Sequence, residues 1–147
     1  MAIVKANYKP RARVGRIGRS VTYYTWREDP EHPNSWRAAN GRALDYDTVW
    51  HEVTDEAHES PYTYRVLLST RDVELADDDY ARVLDRHFAE WYFTTHFAGD
   101  HPHAHAIAFS DHRLNVQELR EMRVELAERE LVRERELDLD RDLAREW

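Results

Sequence analysis

The stretch that constrains this chain most is His103 to Ser110, HAHAIAFS, small and apolar except for two histidines and a closing serine. Followed directly by Asp111, so short a run predicts a buried strand. Side chains at i and i+2 of a strand leave one face, so His103 and His105 are expected side by side. His96 lies seven residues earlier, near the end of a second strand-like run, WYFTTHF. The segment from Ala98 to Pro102 is rich in turn residues and would fold that run back beside the pair. The three imidazoles would then converge on one point and leave part of a metal's coordination sphere open. That is the shape of a catalytic metal site rather than a closed structural one.

What surrounds this strand must supply a core. At 147 residues, the length fits one domain, 1–147. An aromatic content of 12%, with five Trp and eight Tyr, points to a folded chain. No run of apolar residues is long enough to cross a membrane, and the first residues lack a signal-peptide pattern, so a cytoplasmic protein is expected. There is no cysteine, which excludes thiolate metal sites, disulfides and cysteine nucleophiles.

The net charge of -8 argues against a nucleic-acid partner until its distribution is read. Residues 1–27 hold Lys5, Lys9, Arg11, Arg13, Arg16, Arg19 and Arg27 and no acid, leaving 14 of the 21 basic residues against all 29 acids in the remainder. A basic arm on an acidic body places phosphate-binding charge locally.

Along the chain, Met1–Tyr8 reads as a first strand, and Val21–Arg27 as either a strand or the opening of a helix. Residues 28–46 carry Pro, Gly and little periodicity and read as a long loop, a lid or an insertion; Asp47–Val53 adds a short element. Tyr62–Ser69 is a strand. Ala76–Phe88 is a helix whose Asp77, Asp78 and Asp79 suit the positive end of the dipole. Trp91–His96 and His103–Phe109 are two further strands. From Asn115 the chain is helical, with Val116, Leu119, Met122, Leu126 and Ala127 as its apolar stripe. Residues 133–147 form a charged helical tail, exposed, frayed or contacting a second copy. The expected fold is therefore α+β, a central antiparallel sheet carrying the histidines with helices covering its other face.

These residues resemble a known family. HPHAHAIAF, preceded by His96, resembles the histidine–hydrophobe–histidine motif of HUH endonucleases, most closely the relaxases that nick mobilisable plasmids. His96, Asp100, His101, Pro102, His103 and His105 fall in that register. YRVLLSTRDVELADDDYARVL and NVQELREMRVELAERELV are similar to the relaxase segments flanking the motif, so the likeness spans about half the chain, from Tyr62 to Val132. GRSVTYYTWRE is similar to the region bearing the nucleophilic tyrosine. All eight tyrosines precede His103, which matches the relaxase order and not that of rolling-circle initiators, whose tyrosine follows the motif.

The resemblance implies a metal-dependent single-stranded DNA endonuclease and strand transferase in plasmid or mobile-element mobilisation. It would act at an origin-like site, alongside accessory DNA-processing proteins or in an oligomer. It implies magnesium or manganese, with zinc as the alternative, held by His96, His103 and His105. It implies a nucleophile at Tyr23 or Tyr24, with Tyr23 preferred because Arg27 follows it, and a 5′-phosphotyrosyl intermediate. The seven basic residues of the arm would hold DNA. Two departures stand out: Ala98 occupies the place where relaxases often carry Asp, and the chain is short for the family. They leave two other readings, a catalytically inactive relaxase-like DNA-binding protein and an unrelated three-histidine zinc hydrolase. His101 is read as a loop residue; Trp26, Trp36 and Trp50 are read as core or lid residues, with base stacking the alternative.

Overall fold

A computed structural model describes residues 2–10, 16–71, 73–97 and 101–145; Arg11, Arg13, Ala98 and Asp100 therefore lie outside the described residues. The elements run β1 (Ala2–Pro10), α1 (Ile17–Trp26), β2 (Trp36–Ala38), β3 (Ala43–Leu44), α2 (Tyr46–Glu59), β4 (Tyr62–Thr70), α3 (Asp77–His87), β5 (Glu90–His96), β6 (His103–Ser110) and α4 (Val116–Arg145). The six strands form one antiparallel sheet in the order β1-β4-β6-β5-β2-β3. The fold is α+β, and the two histidine strands occupy the middle of the sheet.

Strand periodicity divides the side chains between two cores. Tyr64, Val66 and Leu68 of β4, Trp91 and Phe93 of β5, and Ala104, Ala106 and Ala108 of β6 face α3 and α4. There Tyr80, Val83 and Leu84 of α3 and Met122 and Leu126 of α4 close over them. The alternate residues Tyr92, Ile107 and Phe109 face the other way, onto Val21 of α1 and Val49, Val53 and Ala57 of α2. Helices thus cover both faces, not only the face away from the histidines. The second cover comes from segments whose sequence does not announce them.

The ambiguous Val21–Arg27 segment belongs to α1, whose Ile17, Val21 and Thr25 recur at helical spacing on its inner side. The short element expected at Asp47–Val53 is a 14-residue helix, with Asp45 as its N-cap accepting from the Thr48 N–H at 2.9 Å. The long loop expected over 28–46 instead contributes two edge strands. Trp36 is fully buried, and its indole N–H donates to Thr25 Oγ1 at 2.8 Å. Ala38 pairs with Tyr92 of β5. Asn40 and Gly41, at φ of 67° and 72°, make the left-handed turn between β2 and β3.

On the opposite face, α4 is fastened by a buried ionic cluster. The Asp79 side chain has no solvent exposure and accepts from Arg129 at 2.7 Å and Arg133 at 2.8 Å, while its Oδ2 also takes the Ala76 N–H. Beyond that clamp α4 continues as an exposed helix stitched by Arg133–Glu136, Arg141–Asp138 and Arg145–Asp142 pairs. Val116, placed in the apolar stripe by its spacing, is exposed at the first turn. Among the described residues no helix is long and apolar enough to cross a membrane.

Candidate metal centre

The register of the central strands brings the three histidines together. His96 of β5 lies directly opposite His103 of β6, and His105 lies opposite Thr94. All three project on the face of Ile107 and Phe109, and their ring centroids are 4.7 to 5.3 Å apart. One nitrogen of each lies within 4.8 Å of the others, so the group can hold a metal ion.

The hydrogen bonds around the rings orient them. A carbonyl oxygen can only accept, so His96 Nε2 donates to the Tyr24 carbonyl at 2.9 Å and leaves Nδ1 with its lone pair. By the same argument His103 Nδ1 donates to the His101 carbonyl at 2.9 Å and leaves Nε2 as an acceptor. Fixing a tautomer through the second nitrogen is the usual support of a metal-binding imidazole. His105 Nε2 is buried and has no hydrogen-bond partner. An orphaned buried nitrogen is costly, and a metal ion would satisfy it. The residues present fit a divalent cation.

Electrostatics agree with neutral ligands. Burial pushes His105 down to about 3, with His96 and His103 adding to the effect. Burial also lowers His96, opposed by its bond to the Tyr24 carbonyl and by Glu28. Glu28 is itself held by the Phe97 N–H at 3.0 Å and the Asn34 amide at 3.1 Å. Protons therefore do not compete with a metal at these two rings near neutrality. Three imidazole nitrogens suit zinc better than magnesium or manganese, which favour oxygen ligands.

The two candidate nucleophiles occupy different places. Tyr24 stacks on His105 with centroids 4.3 Å apart and planes 12° from parallel. Burial raises its pKa, while the Arg65 guanidinium beside its hydroxyl pulls the other way. Tyr23, the residue before it on the helix, is 56% exposed, with Arg27 over its ring at 5.2 Å. His101 is turned aside, its Nδ1 donating to the Arg71 carbonyl at 2.8 Å.

Of the basic residues expected to meet DNA, Lys5 and Lys9 stand on β1 opposite Leu67 and Thr63 of β4, exposed on the histidine face of the sheet. Arg16, Arg19 and Arg27 are exposed around α1. Two residues beside the site were not picked out from the sequence. Arg65 was legible: it alternates with buried Tyr64 and Val66, so period two turns it to the histidine side. Glu28 carries no such signal. It reaches the site only because α1 ends there.

Searches with protein-family models, curated proteins and solved structures returned no match to this chain.

Proposed function

We propose that this protein is a metal-dependent, single-stranded DNA nicking and strand-transfer enzyme of the relaxase type, with Tyr24 as nucleophile. The observation that carries the reading is the parallel stacking of Tyr24 on His105 within the three-histidine group. It supports Tyr24 over Tyr23, which makes no ring contact with any of the three histidines among the described residues.

In the reaction, the Tyr24 phenol oxygen attacks the scissile phosphorus, a P–O bond to tyrosine forms, and the bond to the 3′-oxygen breaks. The phenol proton leaves to water and the departing 3′-oxygen gains one, so the step balances without a further reactant. A divalent cation held by His96, His103 and His105 would supply charge stabilisation at the phosphate oxygens. Arg65 favours the phenolate by placing its positive charge at the phenol oxygen, against the burial that disfavours it. Lys5, Lys9 and Arg65 lie exposed on one face of β1 and β4 with no acid among the exposed residues between them there, and would hold the DNA backbone. The aryl oxide is a good leaving group, so a returning 3′-hydroxyl can reseal the strand.

The test is formation of a covalent protein–DNA adduct on single-stranded oligonucleotides with manganese, read on denaturing gels. Tyr24→Phe and His103→Ala should each abolish it, and Tyr23→Phe should not. An adduct that survives Tyr24→Phe and disappears with Tyr23→Phe would move the nucleophile. The all-imidazole donor set also supports the zinc-hydrolase reading. Tight zinc binding with neither adduct nor DNA affinity would establish that one instead.

A further inference from the structure

The helices that cover the histidine face leave a groove on their outer side. It encloses about 620 Å³ between α1 and α2 and is lined by Arg16, Arg19 and Tyr23 on one wall and Trp50 and His58 on the other. That volume lies in the ~300–1,000 Å³ range of small-ligand sites. Among the described residues no acid lines it, although the chain carries a net charge of -8 and α2 alone contains Asp47, Glu52, Asp55, Glu56 and Glu59. Helical spacing explains the segregation. Val49, Val53 and Ala57 form the buried stripe of α2, and the neighbouring stripe, Trp50, Thr54 and His58, faces the groove. Two large aromatics are left partly in solvent, Tyr23 at 56% and Trp50 at 36% exposure. The Trp50 indole lies against the backbone of α1 at Gly18, where an added Cβ would come within 2.6 Å of Trp50 Nε1. The glycine lets the ring lie there.

We propose that this groove is a base-stacking subsite for single-stranded DNA, in which Tyr23 and Trp50 take one unpaired base and Arg16 and Arg19 its flanking phosphates. Exposed aromatics beside guanidinium groups, with acids excluded, are the combination that recognises an unpaired nucleotide: the ring gives a sequence-tolerant stack and the cations follow the backbone. The position relative to the metal centre adds to this. Successive residues of a helix diverge by about 100°, so Tyr24 turns inward onto His105 while Tyr23 turns outward to the groove. Their ring centroids are 6.1 Å apart. A strand whose base sits on Tyr23 and Trp50 leads its next phosphate toward Tyr24. The adjacent tyrosines thus divide the work, Tyr23 holding a base and Tyr24 attacking phosphorus. The second half of that division rests on the nicking reading above.

The experiment is fluorescence anisotropy of a labelled oligothymidylate with the full chain, alongside the adduct assay on the same proteins. Trp50→Ala and Tyr23→Ala should each weaken binding about 5- to 100-fold, the range for losing one base stack. Trp50→Phe and Tyr23→Phe, which keep a ring, should restore binding to within about twofold of the parent, on the same stacking argument. Arg19→Ala should flatten the dependence of log affinity on log salt by about 0.7. Circular dichroism of each variant shows whether it is folded. Unchanged affinity in folded Trp50→Ala and Tyr23→Ala would overturn the groove, and adducts abolished by Tyr24→Phe would leave the nicking reading standing. If no adduct forms with any variant but Trp50→Ala still weakens binding, the groove stands and the nicking reading falls.

Discussion

The two faces of the sheet are made by the same strands and serve different ends. On β6, Ala104, Ala106 and Ala108 look toward α3 and α4, while His103 and His105 look the other way. Among the described residues the first face gathers eighteen buried apolar residues into one core, the second nine. Their buried polar groups differ in the same sense. Asp79, on the closed side, has both oxygens engaged by Arg129, Arg133 and a backbone N–H. His105, on the histidine side, has a buried nitrogen with no partner. A satisfied polar cluster fixes structure, and an unsatisfied one stores a demand that a ligand can meet. Apolar burial is concentrated on one face, and the other carries the three-histidine group.

The strongest test of that division removes the ionic clamp. Asp79→Ala leaves two arginines without their shared carboxylate, and we expect a loss of about 3 kcal/mol, the low end for breaking a buried pair because the arginines are partly exposed. Urea melts measure it. Manganese affinity at the histidines, read by calorimetry on the folded variant, should not change. If metal affinity falls in step with stability, the faces are not independent. The same clamp sets an acid limit. Burial alone would raise the Asp79 pKa, but the bonds from Arg133 and Arg129 outweigh it and hold it below the usual value. A lowered folded pKa means the contribution is complete above the unfolded pKa, near 3.9, and is lost as pH falls through the lower folded value. Asp79→Ala should therefore flatten the steepest acid limb of the stability profile.

A smaller effect of opposite sign is expected on the other face. His105→Leu keeps bulk against Tyr24 and removes the orphaned nitrogen. We expect the metal-free protein to gain about 1–2 kcal/mol, the cost of a buried unsatisfied polar group. The same change should abolish metal-induced stabilisation in a thermal shift with manganese. A variant that is less stable without metal would mean the His105 ring is held for packing and not for a ligand.

The central strands and the three-histidine convergence were legible in the sequence because they are local. Alternation along HAHAIAFS fixes which side chains share a face, and the few residues between His96 and His103 fix the partner strand. The cover of that face was not legible. Trp36 and Ala38 sit in a segment broken by Pro30, Pro33 and Gly41, and they become strand only by adding to β5, a long-range pairing that propensity does not encode. The length of α2 was hidden for another reason. Its buried stripe is three small residues, Val49, Val53 and Ala57, set among charges that dilute the periodic signal. The contrast between Tyr23 and Tyr24 was equally out of reach, since which neighbour faces the sheet depends on the rotation of α1 about its own axis.

The smallest expected change bears on whether the outer groove is a built feature of the helices that cover the histidine face. Gly18→Ala should gain about 1 kcal/mol from helix propensity. It should lose a similar amount, roughly 1 kcal/mol, to overpacking, because the new methyl would lie 2.6 Å from Trp50 Nε1. The contact is with a partly exposed side chain, so the indole can swing outward instead of the helices separating. Net stability should barely move. Trp50 should become more accessible to iodide quenching, measured against Trp50→Phe to subtract the other tryptophans, and oligothymidylate affinity should fall. A gain of about 1 kcal/mol with unaltered quenching would report only the helix term. Trp50 would then not be seated on α1, and the groove would lose the wall that makes it a site.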